Sequence, residues 1–417
     1  NVLLLGASWV FYGAWSWKFL LLLLASSVLD YACGLLIQGA PTQRRKRLLL
    51  ILSVGGNLLF LATFKYLGFF VTEFAALLEQ LGFSASVPVL NIVLPVGISF
   101  YTFQTIGYIV DVYRGKVPAA RSFIDYALYV AFFPQLVAGP IERAGHLIPQ
   151  FQKPRVWKTA AFESGLQLAF WGLFKKIVIA DNLAPYVDVV YADPSQFSGV
   201  ALTTATVFFA FQIYCDFSGY TDTARGVARM LGFELMRNFD FPYISKTPVE
   251  FWQRWHISLS KWFQDYLYFP LAIRYMRQGG WASKYKAHIV AMALIGLWHG
   301  ANWTFLVFGL YWGVIIAAYL AIQERLSNAQ PGSFVDRLAV STSPVRDYGA
   351  IAFMFVLVCV GWVYFRAESL GDAWYVLTHA LSPSGARDVV LPEVVATSTL
   401  WLLVGSLCAG EWVYRHW

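Results

Sequence analysis

The sequence predicts an all-α protein that crosses a membrane several times, with part of its middle entering the bilayer as re-entrant or broken helices. Three observations carry this. Of 417 residues, 58% are hydrophobic and 13% charged, against about 25% charged in an average soluble domain, and mean hydropathy is +0.55. Several apolar runs approach the roughly 20 residues a helix needs to span the hydrocarbon core. Between about residues 90 and 155 the apolar stretches shorten and carry Leu94-Pro95-Val96-Gly97, Pro134, Gly139-Pro140 and Pro149. Irregular backbone at membrane depth is tolerated only where protein or a water-filled cavity surrounds it.

Residues 1–80 read as simple spans: Phe19–Gln43, interrupted by Asp30, and Leu48–Phe64, separated by a basic turn at Arg44–Arg47. After the broken region comes a helix near Phe162–Ile179, interrupted late by Lys175-Lys176, and then the span Gly199–Cys215. The segment Asp216–Tyr285 is more polar, with Asp240-Phe241-Pro242 and Thr247-Pro248 as breakers, and is expected to lie on or dip into one membrane face. Ala287–Leu320 contains no Asp, Glu, Lys or Arg and is too long for one span, which predicts two segments meeting near His299. Tyr348–Phe365 is a further span, while Ser327–Asp347 and Leu381–Pro392 read as connectors. The chain is expected to form a single membrane domain over residues 1–417. It begins at Asn1 and stops at Trp417 in an apolar stretch, so both ends are expected to be trimmed. No fixed-period repeat and no mirrored pair of broken segments is visible, which counts against a transporter built from inverted repeats.

Net charge is 31 − 24 = +7. The basic residues cluster in short segments at Arg44–Arg47, Lys153–Lys158 and Arg274–Lys286, which the positive-inside rule places in the cytoplasm. Such a pattern explains the charge without nucleic acid. Most of the 17 Trp, 23 Tyr and 34 Phe suit the membrane–water boundary. The four cysteines are scattered, with neither metal-ligand spacing nor a disulfide framework, and read as small buried hydrophobes. No metal site is expected.

His299 is the first candidate for chemistry. It stands within Gly296-Leu297-Trp298-His299-Gly300-Ala301-Asn302-Trp303, and an ionisable ring in an apolar span usually faces a cavity or polar partner. The flanking glycines would let the backbone deviate or approach a ligand closely. His288, at the start of the same run beside basic residues, reads as a boundary residue. Asn302-Trp303-Thr304 matches a glycosylation sequon but lies inside the apolar run, and is discounted.

His256 is the second candidate. At helical spacing Trp252, His256, Ser260 and Phe263 share a face, with Arg254, Lys261 and Asp265 nearly opposite. Such a helix suits the headgroup level, where His256 would be an interfacial residue; the functional reading makes it a substrate-positioning or proton-handling partner of His299. Asp216 and Asp222 follow an apolar run but, six apart, do not share a helix face. Asp216 either begins a loop lining a polar opening or marks the end of the span. With no phosphate loop and no Gly-x-Ser-x-Gly elbow, histidine chemistry remains: a near-neutral imidazole removing a proton from an alcohol as it attacks an acyl carbonyl.

Phe251–Leu271 (FWQRWHISLSKWFQDYLYFPL) and Leu297–Gly309 (LWHGANWTFLVFG) resemble the two signature regions of the membrane-bound O-acyltransferase family, in particular its bacterial alginate and peptidoglycan O-acetylation branch. Leu94–Gly115, Phe132–Arg143, Tyr214–Gly226 and Gly361–Leu370 are similar to that branch too, so the resemblance covers nearly the whole chain. It implies a bundle with re-entrant helices around a membrane-crossing tunnel, in a bacterial cytoplasmic (inner) membrane. It implies no bound cofactor and an acyl group, expected from acetyl-CoA, passed outward to a polysaccharide hydroxyl, often through an extracytoplasmic acetyltransferase partner. The family's signature histidine falls on His299 and its second polar position on His256. On that basis His299 acts as general base or as a transient acyl carrier, and His256 orients donor or acceptor. Trp298, Asn302 and Trp303 shape the chamber, and Asp216 helps to line it. Competing readings are D-alanyl transfer to teichoic acid, a transporter or flippase, and a non-catalytic scaffold.

Overall fold

The structure, a computed structural model, describes residues 1–83, 93–279, 283–328, 344–382 and 396–416, and every regular element among them is helical. Five of these helices are long and apolar enough to cross a membrane. The chain divides into two compact units, residues 1–170 with 221–237, and residues 171–220 with 238–417.

The first unit opens with α1 (Val2–Trp15), α2 (Trp17–Gly39), α3 (Gln43–Lys65), α4 (Leu67–Gln80) and α5 (Ile98–Tyr113). Thr42 caps α3 by accepting the Arg45 N–H, so Arg44–Arg47 form its first turn instead of the loop expected from sequence. Asp30, the carboxylate interrupting the first span, is fully buried. It accepts hydrogen bonds from Ser53 Oγ at 2.5 Å and from Asn57 Nδ2 at 2.9 Å. Ser26 and Thr105 complete the network through Asn57 Oδ1 and tie α2, α3 and α5 together. A buried carboxylate needs such partners, because unpaired burial costs several kcal/mol.

The broken region appears as predicted. Short helices α6 (Phe123–Ala131), α7 (Phe133–Leu136) and α8 (Ala144–Gln152) follow α5, and α6 is buried from Tyr126 to its end. An extended stretch then leads into α9 (Thr159–Leu173).

In the second unit the chain continues from α9 through a π-helical stretch, Phe174–Ala180, which contains Lys175 and Lys176 and feeds α10 (Asp181–Ala192). The next helix, α11 (Gly199–Met230), is longer than the predicted span. Asp216 therefore neither begins a loop nor ends a helix. The polar side chains after it remain compatible with helix because several find partners, including Lys176 for Asp216 and Lys175 for Ser218.

Two seven-residue helices, α12 (Pro248–Arg254) and α13 (Ile257–Phe263), precede a π-helical stretch at Gln264–Tyr268 and α14 (Phe269–Gln278). Arg274 and Arg277, assigned from sequence to a basic loop, lie on α14, beside an exposed apolar stripe of Phe269, Ile273 and Met276. Then come α15 (Ser283–His299) and α16 (Trp303–Ser327), confirming two segments that meet at His299. The described chain closes with α17 (Pro344–Arg366), α18 (Leu370–His379) and α19 (Thr397–His416). The predicted connectors fall largely outside the described residues.

Candidate active site

The turn after His299 is set by two local devices. Asn302 caps α16, its Oδ1 accepting the Thr304 N–H at 3.1 Å, while its Nδ2 donates to the Glu368 carbonyl at 3.0 Å. Gly296, Gly309 and Gly313 allow α15 and α16 to run in backbone contact. A Cβ on Gly313 would sit 2.7 Å from Ile289 Cα, and one on Gly296 would overlap the Phe305 carbonyl and lie 2.9 Å from Gly309 N. Small residues at such positions are the usual means of close helix approach in membranes. Gly296 therefore serves helix packing, and Gly300 leaves room for the Phe305 ring; neither has a positive φ.

His299, the last residue of α15, is half-buried in an aromatic surround. Ring centroids lie 4.7 Å away for Trp298, 4.9 Å for Phe365 and 6.0 Å for Phe308.

The helix expected to carry Trp252, His256 and Ser260 on one face is interrupted at Trp255-His256, which corrects that expectation. His256 has φ 42° and ψ 55°, the left-handed region, and precedes α13. Among described non-glycine residues only Phe241 shares a positive φ, and strained backbone of this kind clusters at functional sites. The cause is tertiary. Asn238, fully buried, accepts the Ile257 N–H on its backbone carbonyl at 2.9 Å and the Ser258 N–H on its side chain at 3.1 Å. The Asp240 N–H donates to the Arg254 carbonyl, and Arg254 returns a guanidinium bond to the Asp240 carbonyl. The segment beginning at Asn238 thus grips the chain on both sides of His256.

His256 is 2% exposed, which removes the interfacial reading. Phe217 meets its ring edge-on at 4.6 Å, and Trp298 lies 6.0 Å from it. Trp298 therefore contacts the surroundings of both histidines, and each imidazole lies in the other's field. His256 is outside the five spanning helices; burial first, then repulsion from His299, pushes it well below the usual histidine range. Held neutral and weakly basic, His256 is suited to hydrogen-bonding a donor or acceptor and not to removing its proton.

The structure brings together His256, Trp298 and His299. It places the other candidates in different settings. Asn302 spends both ends of its amide on the turn, Trp303 is half exposed at the start of α16, and Asp216 pairs with Lys176 at 2.6 Å. Sequence reasoning missed Asn238, Phe217, Phe308 and Phe365, none of which carries a local signal. It also set aside His288, which packs on Tyr268 at 4.3 Å and lines a cavity of about 420 Å³ with Trp252, Ser260, Lys261 and Ile295. Among the described residues, no group of three or more His, Cys, Asp and Glu side chains gathers as a metal would require.

The model of the MBOAT, membrane-bound O-acyltransferase family, matches residues 117–362, a stretch containing both histidines. The chain belongs to the membrane-bound O-acyltransferase family. This member is 44% identical to the "Probable alginate O-acetylase AlgI" of Azotobacter vinelandii, over 90% of this chain and 71% of that protein. It is 34% identical to the "Peptidoglycan O-acetyltransferase" of Helicobacter pylori, over 91% and 73% of the two chains. Similarity to the "Teichoic acid D-alanyltransferase" of Bacillus subtilis is lower, 28% over 55% and 60%. This O-acyltransferase is accordingly a multi-pass membrane enzyme.

Proposed function

We propose that this O-acyltransferase moves acetyl groups from acetyl-CoA, on the cytoplasmic side of a bacterial inner membrane, toward hydroxyls of an extracytoplasmic polysaccharide. The observation that carries the reading is the convergence of His256 and His299 on Trp298 within the family's matched region. Acetyl, as the group transferred, is supported by the names of the alginate and peptidoglycan relatives.

In this reading His299 removes the proton of the acceptor hydroxyl as its oxygen attacks the thioester carbonyl. The carbon–sulfur bond breaks, and the proton held by His299 passes to the departing thiolate. General-base assistance of this kind contributes roughly 10²–10⁴ in rate. His256 orients donor or acceptor, Trp298 walls the reacting centre within the tunnel, and Asn302 fixes the turn that aims His299. Delivery to the glycan goes through a separate extracytoplasmic acetyltransferase. D-alanyl transfer to teichoic acid is the alternative favoured by the more distant relatives.

The test is the O-acetyl content of surface polysaccharide in cells carrying wild-type or His299→Ala protein at matched membrane abundance. Loss of acetyl groups supports the reading and identifies the glycan. Unchanged acetylation sinks it for that polymer and directs the search to D-alanyl esters.

A further inference from the structure

The cavity that His288 lines, about 420 Å³, lies wholly within the second unit, among α12, α13, the π-helical stretch after them, α15 and α16. Volumes of this size hold small-molecule ligands. Val249, Ile257, Met292, Ile295 and Ile316 make most of its wall apolar. Two polar groups on that wall lack partners. Among the described residues Lys261, exposed, forms no ion pair, and no carboxylate lines the cavity. Trp252 is 8% exposed, and its indole N–H meets no acceptor among the described residues. A buried donor left unpaired is costly, and an occupant carrying an oxygen acceptor removes that cost.

The helix that leads away from the cavity suits a membrane surface. Tyr268 lines the cavity, and α14 starts at the next residue and packs on α15. Phe269, Ile273 and Met276 form its exposed apolar stripe. Arg274 and Arg277, also exposed, continue round the helix from that stripe, and neither forms an ion pair among the described residues. A helix with an apolar stripe edged by cations sits at headgroup level, its apolar side in the acyl chains. The adjoining end of the cavity, at Tyr268, therefore stands beside phospholipid head groups.

A zwitterionic lipid would leave the charge of Lys261 uncompensated, and a bare hydrocarbon would leave Trp252 without an acceptor. Basic pockets between membrane helices take anionic head groups. We propose that this cavity holds an acyl chain of an anionic glycerophospholipid from the surrounding bilayer. Lys261 holds its phosphate, Trp252 donates to an ester carbonyl, and Arg274 with Arg277 attracts the same class of lipid to α14. The lipid acts as a brace and not as a substrate. Helices α12 and α13 adjoin His256, and α15 ends at His299, so a chain lodged among them steadies both. That effect on transfer rests on the roles proposed above for the two histidines; the lipid site does not.

The test titrates the full chain in detergent with phosphatidylglycerol or phosphatidylcholine and follows retained lipid by native mass spectrometry. Preferential retention of phosphatidylglycerol is expected, weakened about fivefold by Lys261→Gln and restored by Lys261→Arg. Val249→Trp, which fills the cavity from its half-buried wall, should abolish retention, and Arg44→Gln, in the first unit, should leave it unchanged. In nanodiscs, acyl transfer by the wild type should rise several-fold when phosphatidylglycerol replaces part of the phosphatidylcholine, whereas transfer by Val249→Trp should not. Equal retention of the two lipids, or a preference weakened equally by Arg44→Gln, overturns the site. Retention of a polyprenyl phosphate in place of phosphatidylglycerol overturns the phospholipid as occupant. Specific retention with transfer indifferent to the lipid upholds the site and overturns the brace. Specific retention with no transfer from acetyl-CoA in either lipid upholds the site and overturns the donor proposed above.

Discussion

Asn238 holds the chain immediately beyond His256, its carbonyl taking the Ile257 N–H and its side-chain oxygen the Ser258 N–H. The contact joins a residue with no chemistry of its own to one proposed to stand at the reacting centre. Asn238→Ala leaves the Ser258 N–H buried without its acceptor, a loss of about 1–3 kcal/mol. Activity should fall further than membrane abundance, because the helix break that aims His256 loosens. Thermal unfolding in detergent and acyl transfer, measured on the same preparation, check this; a variant equal to wild type in both would show that the clamp is dispensable.

The left-handed backbone at His256 separates its chemistry from its conformation. An L-residue with a Cβ costs about 1–2 kcal/mol there, whereas glycine does not. His256→Gly should therefore be more stable than His256→Ala by about 1 kcal/mol, while both lose transfer activity. If the alanine variant proves the more stable, the strain assigned to this position is wrong.

Gly309 should not tolerate even a methyl group. A Cβ there would meet Ala293 Cα at 2.8 Å, so Gly309→Ala must push α15 and α16 apart or bend one of them. Overpacking of this kind costs about 1–3 kcal/mol. Since His299 ends α15, transfer should fall together with the melting temperature. Unaltered activity and stability would show that the hairpin has slack.

His146, on α8 in the first unit, donates its Nδ1–H to the buried Glu142 carboxylate at 2.7 Å. That hydrogen bond, outweighing partial burial and helped by the charges of Glu142 and Glu234, raises the imidazole above its ordinary range. The contribution to stability is full below the unfolded value of about 6.5 and is lost as pH rises through the higher folded value. Hydrogen exchange over residues 142–152 should therefore quicken from about pH 6 to pH 8 beyond the intrinsic base-catalysed rise. His146→Gln should remove the excess, and an identical excess in that variant would assign the effect elsewhere.

Much of the architecture was legible because the bilayer imposes a length. Phe19–Gln43, Leu48–Phe64 and Tyr348–Phe365 were readable as spans, and α2, α3 and α17 occupy them. The Pro- and Gly-punctuated middle did become short helices. Boundaries that depend on side-chain partners were not readable. Arg44–Arg47 join α3 because Thr42 caps it, and α11 runs past Asp216, which Lys176 pairs.

His299 stood out alone, since an imidazole in an uncharged run is costly unless used. Its grouping with His256 around Trp298 belongs to the tertiary structure. Helical periodicity treated Trp252 through Phe263 as one continuous face, since it registers only neighbours three and four residues apart. The break at His256 comes from Asn238, and the aromatic walls from Phe217, Phe308 and Phe365. Composition and local pattern determined that this protein crosses a membrane and carries a histidine in an uncharged apolar run, because water and lipid act on each segment separately. Which side chains meet that histidine was decided by folding alone, because those contacts join segments distant in the chain.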